Sequence, residues 1–418
     1  MKSIQKTCLL VAALAAPGFA QAGELPNTVP MSGLQFNFSA PGARSLGMGG
    51  AFLGRADDST AAFANPAGLT NLFSPEIAAE FRFNQYDTPY TSGGSYPDPT
   101  RDTTSSSANN LSYLSYVYPK EKWVFALFRQ EFMDFNSDFD SGAIALGGTS
   151  ISLPTSNSVD VNIVNYGFST GVRLSDRVSL GAGISYFDYS MDANTDRFFN
   201  NEPVITQLQS GSDSNWGVTF GALFRATDRL SIGLVYRATP DFDTTHQHEA
   251  VFDTDANFIR DYKFEIPDVY GIGFSFQPND NLTFNFDIMQ VRYSKLASPV
   301  FWAFNDPATT DGQEIVDEMS IDNGTEFRLG AEYVLQNKPI ALRAGVWRDP
   351  DHTLRYAGPT DESVTEQRST AVFFPEGSDE THFSLGFGFF LDNFQMDFAA
   401  DFSENQDTYS ISGVYRFN

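Results

Sequence analysis

The residues of this sequence that could support acid–base or metal chemistry are its four histidines. His246 and His248 stand two positions apart, a spacing that puts two imidazoles on one side of an extended segment, but no clear third metal ligand accompanies them. Asp351 directly precedes His352, as in the acid–base dyad of a protease, whereas His382 opens a predicted strand. The zinc-protease pattern H-E-x-x-H is absent. We therefore expect no enzyme activity, no metal site and no cofactor.

The stretch from Gly33 to Leu72 is the segment that differs most from the rest of the chain. Seven glycines and two prolines exclude a long regular helix or a central strand, yet leucine and phenylalanine are too frequent for a solvated tail. The glycines of Gly47-Met48-Gly49-Gly50 do not follow the G-x-G-x-x-G order of a phosphate-binding loop. Asp57-Asp58-Ser59 is placed to cap a short helix at 61–64, which Asn65-Pro66 then ends. The segment is predicted to be compact, irregular and enclosed by other parts of the protein.

Three short motifs in this stretch resemble the N-terminal hatch of the long-chain fatty acid transporter (FadL) family of outer-membrane proteins. They are Gly33-Leu34-Gln35-Phe36-Asn37, Ala56-Asp57-Asp58, and Asn65-Pro66-Ala67 followed by Leu69. Together with the strand pattern below, the resemblance covers essentially the whole mature chain. It implies that this segment plugs a β-barrel and that Asp57, Asp58, Asn65, Pro66 and Ala67 hold or gate the plug.

The N-terminus is predicted to be a secretory signal peptide over residues 1–22. Two lysines precede an apolar run from Cys8 to Ala16, and Ala20-Gln21-Ala22 fits the small-x-small cleavage rule. Cys8 is the only cysteine, so the exported chain has neither a disulfide nor a thiolate nucleophile. The predicted organisation is a signal peptide at 1–22, a hatch at 23–75 and a barrel at 76–418.

The charge and composition exclude several classes of function. The net charge is −26, and −28 once the two lysines of the leader are removed, which argues against nucleic acid as a partner. No apolar stretch approaches the roughly 20 residues that cross a bilayer as a helix. An aromatic content of 15% with a slightly hydrophilic average is typical of a barrel with a lipid face and a wet lumen.

Alternation of apolar and polar residues after Glu76 predicts the transmembrane part. Apolar residues at every second position of 282–288 interleave with Thr283, Asn285 and Asp287, and the stretches 326–335 and 394–403 repeat this pattern. Such alternation indicates strands between two different solvents, and the runs are longer than those of a soluble sandwich. The predicted strands number fourteen: 76–87, 110–119, 122–134, 159–174, 177–192, 213–226, 229–242, 265–277, 281–295, 323–336, 338–350, 381–391, 393–403 and 407–418.

The connections between these strands alternate in length. Tight turns alternate with long segments at 88–109, 135–158, 193–212, 243–264, 296–322 and 351–380. Short periplasmic turns opposite long extracellular loops are typical of an outer-membrane barrel, whose two termini then lie in the periplasm. Tyr186, Trp216, Tyr236 and Tyr270 are predicted to form the outer aromatic girdle. The final run, up to Phe417, resembles the strand that barrel-assembly machinery recognises.

A fourteen-stranded barrel needs a plug, because about eight strands already fill themselves and 16–18 leave an open channel. By alternation, the lumen carries charges of both signs at Glu80, Arg82, Arg173, Arg225, Asp287, Glu326, Arg328, Glu332, Arg343, Asp397 and Asp401. We expect these residues to pair with Arg44, Arg55, Asp57 and Asp58 of the hatch. Such pairs would act either as structural contacts or as a gate.

Two predicted outer loops are richer in apolar residues than solvated loops need to be. They include Phe198, Phe199 and Leu208 in one loop, and Phe252 and Phe258 in the next. These residues either pack the loops on one another or frame an apolar groove, and both interpretations stay open. The family resemblance implies the groove, because the third and fourth outer loops of these transporters capture the hydrophobic ligand.

By the same resemblance, Leu34 and Phe36 align with the apolar start of the hatch, which contacts ligand at an inner site. Leu25, Val29 or Met31 could take that place instead, because about ten residues precede the matching position. The resemblance also implies that ligand leaves sideways, through a gap in the wall near a kinked third strand.

In this sequence the third predicted strand loses its alternation at Leu127-Phe128-Arg129, which we interpret as a bulge. We therefore predict an all-β, monomeric barrel in the bacterial outer membrane, in contact with its lipid, that passively imports a fatty acid or hydrocarbon. The rival is a structural or adhesive barrel that transports nothing. A continuous apolar path from loops to hatch would favour transport, and a lumen sealed along its length by charge pairs would favour the rival.

Overall fold

The computed structural model describes residues 38, 40–146, 148–150, 152–251, 254, 257–296, 319–358, 371–372 and 374–417. The predicted signal peptide at 1–22 lies outside the described residues, as do Leu34, Phe36 and Phe252, three of the predicted ligand contacts. The described chain is largely β-strand, with a few short helices.

The strands are β1 (Glu76–Ser95), β2 (Asp98–Lys120), β3 (Trp123–Ser141), β4 (Ile144–Leu146), β5 (Thr149–Ser150), β6 (Thr155–Arg173), β7 (Val178–Phe199), β8 (Glu202–Arg225), β9 (Leu230–Ala238), β10 (Asp241–Ala250), β11 (Phe258–Glu265), β12 (Val269–Asn279), β13 (Leu282–Val291), β14 (Met319–Ser320), β15 (Gly324–Val334), β16 (Ile340–Asp349), β17 (Arg355–Tyr356), β18 (Glu380–Leu391), β19 (Phe394–Phe402) and β20 (Gln406–Arg416). The helices before β1 are α1 (Ala43–Leu46), α2 (Ala61–Ala64) and a 3-10 helix (Pro66–Asn71).

Fourteen strands form a closed antiparallel barrel, as predicted. Around the wall they follow the order β1, β2, β3, β6, β7, β8, β9, β12, β13, β15, β16, β18, β19, β20, and β20 closes the ring on β1 by pairing Arg416 with Glu76. The hairpin β10–β11 extends the wall above β9 and β12, and β10 pairs with the upper part of β8. Pro240 and Pro267 lie at the two breaks, because proline cannot donate to a strand ladder.

The alternation of side chains inverts along the long strands, and the inversion marks the outer surface of the bilayer. In the lower part of β7 the exposed side chains are apolar, such as Ile184 and Tyr186, while Ser185 is buried inside. Beyond Tyr186 the order is reversed, with Phe187 buried and Asp188 exposed, and the reversed order continues along the strand. The upper wall therefore stands in water, with a polar outside and an apolar inside.

The predicted aromatic girdle is confirmed at this level. Tyr186 and Trp216 are register partners whose rings lie 5.2 Å apart, and Tyr236 and Tyr270 are partners whose rings lie 4.8 Å apart. On β7 and β8 the girdle lies in mid-strand rather than at strand ends, because these strands continue beyond the membrane.

The prediction of long outer loops at 88–109, 193–212 and 243–264 was wrong. These segments are mostly strand: β1 and β2 are joined by residues 96–97, β7 and β8 by residues 200–201, and β10 and β11 fill most of the third segment. The physical reason is the inversion described above, because a search for strands that are apolar outside fails where the outside is water.

The hatch residues 40–72 lie inside the barrel, and nearly all of them are buried. The predicted helix at 61–64 is present as α2, and it ends before Asn65-Pro66, as expected. Its N-cap is Thr60, which makes no side-chain capping bond. Asp58, two residues before the N-cap, accepts hydrogen bonds from Thr60 N and Oγ1 at 2.9 and 2.5 Å and so does not cap the helix as predicted. Among the described residues, no helix is long and apolar enough to span a bilayer.

Candidate functional site

Asn65 joins two parts of the hatch to the barrel wall. Its Oδ1 accepts a hydrogen bond from Ala67 N at 3.2 Å and so caps the 3-10 helix, in which Pro66 takes the first position. Its Nδ2 donates to Leu53 O at 3.1 Å and to Ala222 O of β8 at 3.2 Å. Asn65 is completely buried, so each of these contacts replaces a hydrogen bond to water.

The wall carries glycine where the hatch backbone approaches it most closely. A Cβ at Gly233 of β9 would lie 2.0 Å from Leu53 O, and a Cβ at Gly221 of β8 would lie 2.2 Å from Asn65 Oδ1. No other residue fits these two positions without moving the hatch. The wall therefore leaves room for the hatch backbone at Gly233 and for the Asn65 side chain at Gly221.

Arg44 of α1 is the main ionic contact between hatch and wall. Its Nε and Nη2 donate to the two oxygens of Glu332 on β15, both at 2.9 Å, and its Nη1 donates to Asp57 at 2.7 Å. Burial by itself would raise the pKa of Asp57, but Arg44 and then Arg55 outweigh burial and hold this pKa below its usual value. The predicted pairing of hatch charges with the lumen is confirmed for Arg44, whereas Arg55 pairs with Asp57 inside the hatch, at 2.6 Å.

The charge network continues along one side of the lumen. Glu332 also accepts from Arg343 Nε at 2.7 Å, and Arg343 Nη1 donates to Asp397 of β19 at 2.8 Å. Among the described residues, the ion pairs with both side chains almost completely buried lie on β15, β16, β18 and β19. The charge pairs therefore do not seal the lumen around its circumference.

The opposite side of the lumen is apolar from the hatch upward. The ring of Phe63 on α2 contacts Phe128 and Phe132 of β3 at centroid distances of 6.2 and 6.3 Å. Phe132 in turn contacts Phe38 and Phe187, each at 5.6 Å. These aromatic rings form the base of what we call the apolar column.

The apolar column rises along the inner face of the upper wall. Tyr189, two positions above Phe187 on β7, stacks on Phe242 at 4.6 Å and on Phe264 at 5.3 Å. The same buried cluster continues to Met319, Ile321, Leu354 and Phe374, which belong to the outer connections β13–β15 and β16–β18. Apolar side chains thus form one contiguous path from the top of the barrel to the hatch.

Arg237 of β9 lies at the base of the apolar column with little compensation for its charge. Its guanidinium lies 3.8 Å from the ring centroid of Phe63, and its Nη2 donates to Phe63 O at 3.1 Å. The side chain is only 3% exposed, and within the described residues its Nε and Nη1 have no hydrogen-bond partner. A buried, incompletely paired cation is costly, so this position favours an anionic or hydrogen-bond-accepting group from outside the chain.

The wall is interrupted between β2 and β3. The ladder between β2 and β3 ends where Tyr113 pairs with Gln130. Above this point, among the described strands, residues 98–112 of β2 pair only with β1, and residues 131–141 of β3 pair only with β6. We call this unpaired boundary the seam. It begins at the level of the girdle, because Arg129 is opposite Tyr166, which is opposite Tyr186.

Side chains hold the seam where backbone hydrogen bonds are missing. On the outside, Arg129 Nη1 donates to Leu111 O, and Asn110 Nδ2 donates to Asp134 Oδ2 at 2.9 Å. On the lumen side, the ring of Tyr86 contacts that of Phe135 at 5.6 Å, and two further rings, Tyr90 and Phe139, meet at 4.5 Å.

The bulge predicted at Leu127-Phe128-Arg129 lies instead at Phe132. The register of β3 with β6 shifts between Glu131 and Met133, while burial still alternates normally from 127 to 130. The sequence signal was misplaced because Phe128 is a lumen residue that packs on the hatch rather than a break in the pattern. The bulge leaves both Phe132, a residue of the apolar column, and its neighbour Met133 buried, next to the start of the seam.

The structure does not gather the predicted capture residues into one groove. Phe198 and Phe199 are half-buried at the upper end of β7, and Leu208 of β8 is exposed on the outer face. Phe258 lies on the lumen side, where its ring stacks on that of His248 at 5.2 Å. Sequence reasoning missed Phe63, Phe132 and Arg237, although alternation on their strands already placed the last two inside the barrel.

The histidines occupy separate environments. His382 Nδ1 lies 2.7 Å from Asp401 Oδ2 under the ring of Trp347, and His352 stacks on Tyr293 at 4.5 Å. Asp351 accepts a hydrogen bond from the backbone N–H of Thr353 at 2.9 Å and does not pair with His352. Among the described residues, no group of three or more side chains is arranged to hold a metal ion.

The sequence also contains a nucleophile pattern that the sequence analysis did not identify. The G-x-S-x-G pattern is present at Gly167-Phe168-Ser169-Thr170-Gly171, but it lies inside β6 rather than on a strand-to-helix turn. Ser169 Oγ donates to Ala62 O of the hatch at 2.6 Å. This serine therefore anchors the hatch.

Comparisons with known proteins agree with this geometry. Residues 32–410 match the family model described as outer membrane protein transport protein (OMPP1/FadL/TodX). The fold is similar to a FadL homologue of Pseudomonas aeruginosa, with a TM-score of 0.64 and 14% identity over 92% of this chain and 100% of that one. It is also similar to the toluene transporters TodX of P. putida (TM-score 0.61, 14% identity, 91% and 100%) and TbuX of Ralstonia pickettii (0.59, 16%, 91% and 100%). No curated protein matches the sequence.

Proposed function

Because the chain belongs to the outer membrane transport protein family of FadL and TodX, we propose that it lets a hydrophobic small molecule diffuse through the outer membrane. The observation that supports this most is the apolar column, which runs from the top of the barrel to the hatch. A structural or adhesive barrel has no need of a contiguous apolar lining on the inside of a wall that stands in water. Among the described residues, the almost completely buried charge pairs, which would have favoured that rival, lie on β15, β16, β18 and β19.

We propose that ligand enters near Phe198 and Phe199, descends the apolar column and leaves through the seam. Phe132 supports this route, because it belongs both to the column and to the bulge beside the seam. Opening the base of the seam breaks no ladder between β2 and β3, only the side-chain contacts across it, while backbone hydrogen bonds between β1 and residues 142–145 close its upper end. Hatch residues Leu34 and Phe36 remain the proposed inner ligand contacts, and Asp57, Asp58, Asn65, Pro66 and Ala67 the proposed elements of the gate.

Arg237 favours a ligand that combines an apolar body with an acidic end, such as a long-chain fatty acid, over a plain hydrocarbon. The carboxylate would receive hydrogen bonds from the guanidinium, and the alkyl chain would lie along the column above it. Toluene and its relatives, the cargo named for TodX and TbuX, carry no group that would satisfy this cation.

Uptake by cells with equal surface expression tests transport. Phe132→Asn places an amide in the base of the column and removes a contact worth about 1.5–3 kcal/mol, so uptake of labelled fatty acid should fall about tenfold or more. Phe132→Leu keeps an apolar side chain and should retain most of the activity. Equal uptake by cells with and without the wild-type protein would reject transport altogether.

Ligand class is tested separately at Arg237. Arg237→Leu should weaken binding of a long-chain carboxylate about tenfold, because a charge-assisted hydrogen bond is lost. Binding of a neutral alkane should stay unchanged. Arg237→Lys keeps the charge and should recover part of the affinity. An equal change for acid and alkane would contradict the assignment of Arg237 while leaving transport intact.

A further inference from the structure

The outside of the barrel carries an apolar groove of about 970 Å³ across β18, β19, β20, β1 and β2. Its walls are side chains of the lipid-facing surface, among them Phe81 and Leu385, which are 59% and 62% exposed, together with Phe398 and Ile411. This volume lies within the range of small-molecule sites, whereas an ordinary convex barrel wall has no such depression.

A small side chain creates the depth of the groove. Ala400 of β19 stands in register with Leu385 of β18 and with Tyr409 of β20, and its neighbours on the same face of β19 are Phe398 and Phe402. Each of these neighbouring side chains is therefore larger than the methyl group of Ala400. Its methyl group forms the floor and the surrounding rings form the sides.

The groove is open only toward the membrane. Behind its floor, a Cβ on Gly386 would lie 3.0 Å from Gly47 Cα of the hatch, and Ala399 packs on Ala43 and Leu46 of α1. The lumen at this point is filled, so no ligand passes straight through the wall here. Any occupant arrives along the outer surface.

The groove ends at the strand that borders the seam. Asn110 and Leu111 of β2 belong to its lining, and these same two residues bond Asp134 and Arg129 of β3 across the seam. A molecule that leaves the lumen at the base of the seam therefore meets the edge of the groove after crossing a single strand.

The chemistry of the lining excludes a charged headgroup. The one charged residue in it, Arg82, is lumen-facing and bonds Glu80 at 2.8 Å. The remaining polar residues of the lining are uncharged: Asn109, Asn110 and Tyr409, together with Ser410, which is buried and donates to Glu80 at 2.6 Å. A lipid phosphate finds no cation on this surface.

We propose that this groove is a landing site for the transported molecule, holding its uncharged hydrocarbon part against the outer wall after release through the seam. This inference rests on the proposed function. It adds a second apolar site to the route, outside the lumen and on the bilayer side of the wall.

Photolabelling in proteoliposomes tests the landing site. The probe is a long-chain alkyl diazirine, and a phospholipid with the same diazirine in its acyl chain is run in parallel. The alkyl probe should label β18–β20 and β1 more strongly than the far side of the barrel, and the phospholipid should label both sides alike. Ala400→Trp fills the groove and should lower alkyl labelling there about tenfold, the change that roughly 1.4 kcal/mol of lost contact produces.

The matched control is Ala182→Trp, an alanine on the lipid face of β7, which should leave groove labelling unchanged. Heat-modifiability confirms folding of each variant, and Ala400→Phe replaces Ala400→Trp if the latter does not assemble. Even labelling around the barrel, unchanged labelling in a folded Ala400 variant, or cross-links between two copies at the groove would each overturn the proposal. Uptake by the wild type, measured in the same vesicles, reports independently on the proposed function.

Discussion

Arg44 and Glu332 join the hatch to the wall through two parallel hydrogen bonds of 2.9 Å each, with both side chains largely buried. The guanidinium fork matches the carboxylate geometry, and Glu332 is shared with Arg343 of the wall. The position of the hatch is thus coupled to the charge network of the lumen.

Removing one partner of this pair should loosen the hatch. Arg44→Met leaves Asp57 and Glu332 with one cation fewer, and breaking a buried pair costs about 3–5 kcal/mol. We expect ion conductance in planar bilayers to rise severalfold while the barrel stays heat-modifiable. Lys263→Met, which breaks an exposed pair with Asp241 on the upper hairpin, is the control and should change nothing. A folded Arg44→Met protein with wild-type conductance would show that the pair does not hold the hatch.

Asn65 and Pro66 offer a second way to release the plug. Replacing both by alanine removes the bonds to Leu53 O and Ala222 O and the cap of the 3-10 helix, at about 1–3 kcal/mol for each buried group left unsatisfied. Conductance should rise without loss of the folded barrel. Pro66→Ala alone keeps the amide contacts and should have the smaller effect; if the double variant conducts like the wild type, the motif is not a latch.

Acid should release the hatch only at low pH. The pKa of Asp57 lies below its usual value because Arg44 and Arg55 overcome its burial, so its ionic contribution is complete above about pH 4 and is lost as the pH falls through the lowered pKa. The loss of the Asp57 contacts should therefore raise conductance as the pH falls below about 4. Arg44→Met removes the partner that does most to lower the pKa of Asp57, so the rise in conductance should begin at a higher pH in this variant. Identical pH profiles for the two proteins would contradict this account.

Locking the seam should stop release of ligand. The only native cysteine is Cys8, so a pair introduced as Asn110→Cys and Asp134→Cys reports cleanly on the contact between β2 and β3. Oxidation should lower uptake severalfold and a reducing agent should restore it. Each single cysteine variant is a control, and undiminished uptake by the oxidised pair would place the exit elsewhere.

Leu34 and Phe36 test the role assigned to the start of the hatch. Replacing both by serine removes two apolar contacts worth about 1.5–3 kcal/mol each when fully buried, so ligand affinity should fall tenfold or more. Radiolabelled ligand uptake at equal surface expression measures the effect, with Leu25→Ser and Val29→Ser as comparisons. Wild-type uptake in the double variant would remove these two residues from the site.

The strand number was predictable because the lipid belt imposes one rule on every strand: apolar outside, polar inside. Leu282 to Ile288 follow it without exception, and so do the residues from Phe394 to Phe402 that face lipid. Above the girdle the rule reverses, and residues 193–212 were therefore predicted as a loop, although β7 and β8 continue through most of them. A search that allowed the sign of the alternation to change within a strand would have found them.

The site was less predictable than the wall, because it depends on contacts between distant segments. Asn65 was identified from its motif, but its bond to Ala222 O depends on Gly221 and Gly233, which no local pattern connects with it. The seam lies where the hydrogen-bonded ladder between β2 and β3 stops, and such a ladder depends on two strands rather than on a local sequence pattern. Arg237 gave a usable signal, since alternation with Gly233 and Val235 places it in the lumen, but only the lack of hydrogen-bond partners for its Nε and Nη1 among the described residues makes it notable.

The inversion above the girdle gives the barrel a sloping rim. From Tyr186 to Phe199, β7 continues for about 40 Å of strand, or roughly 30 Å of height at a tilt of about 40°, whereas β15 begins and β16 ends close to the membrane surface. Among the described strands, the wall at β7 and β8 therefore rises well above the membrane surface. The Asn200–Asn201 turn stands at its tip. Antibodies, phage and inserted epitope tags should therefore reach this protein at that turn.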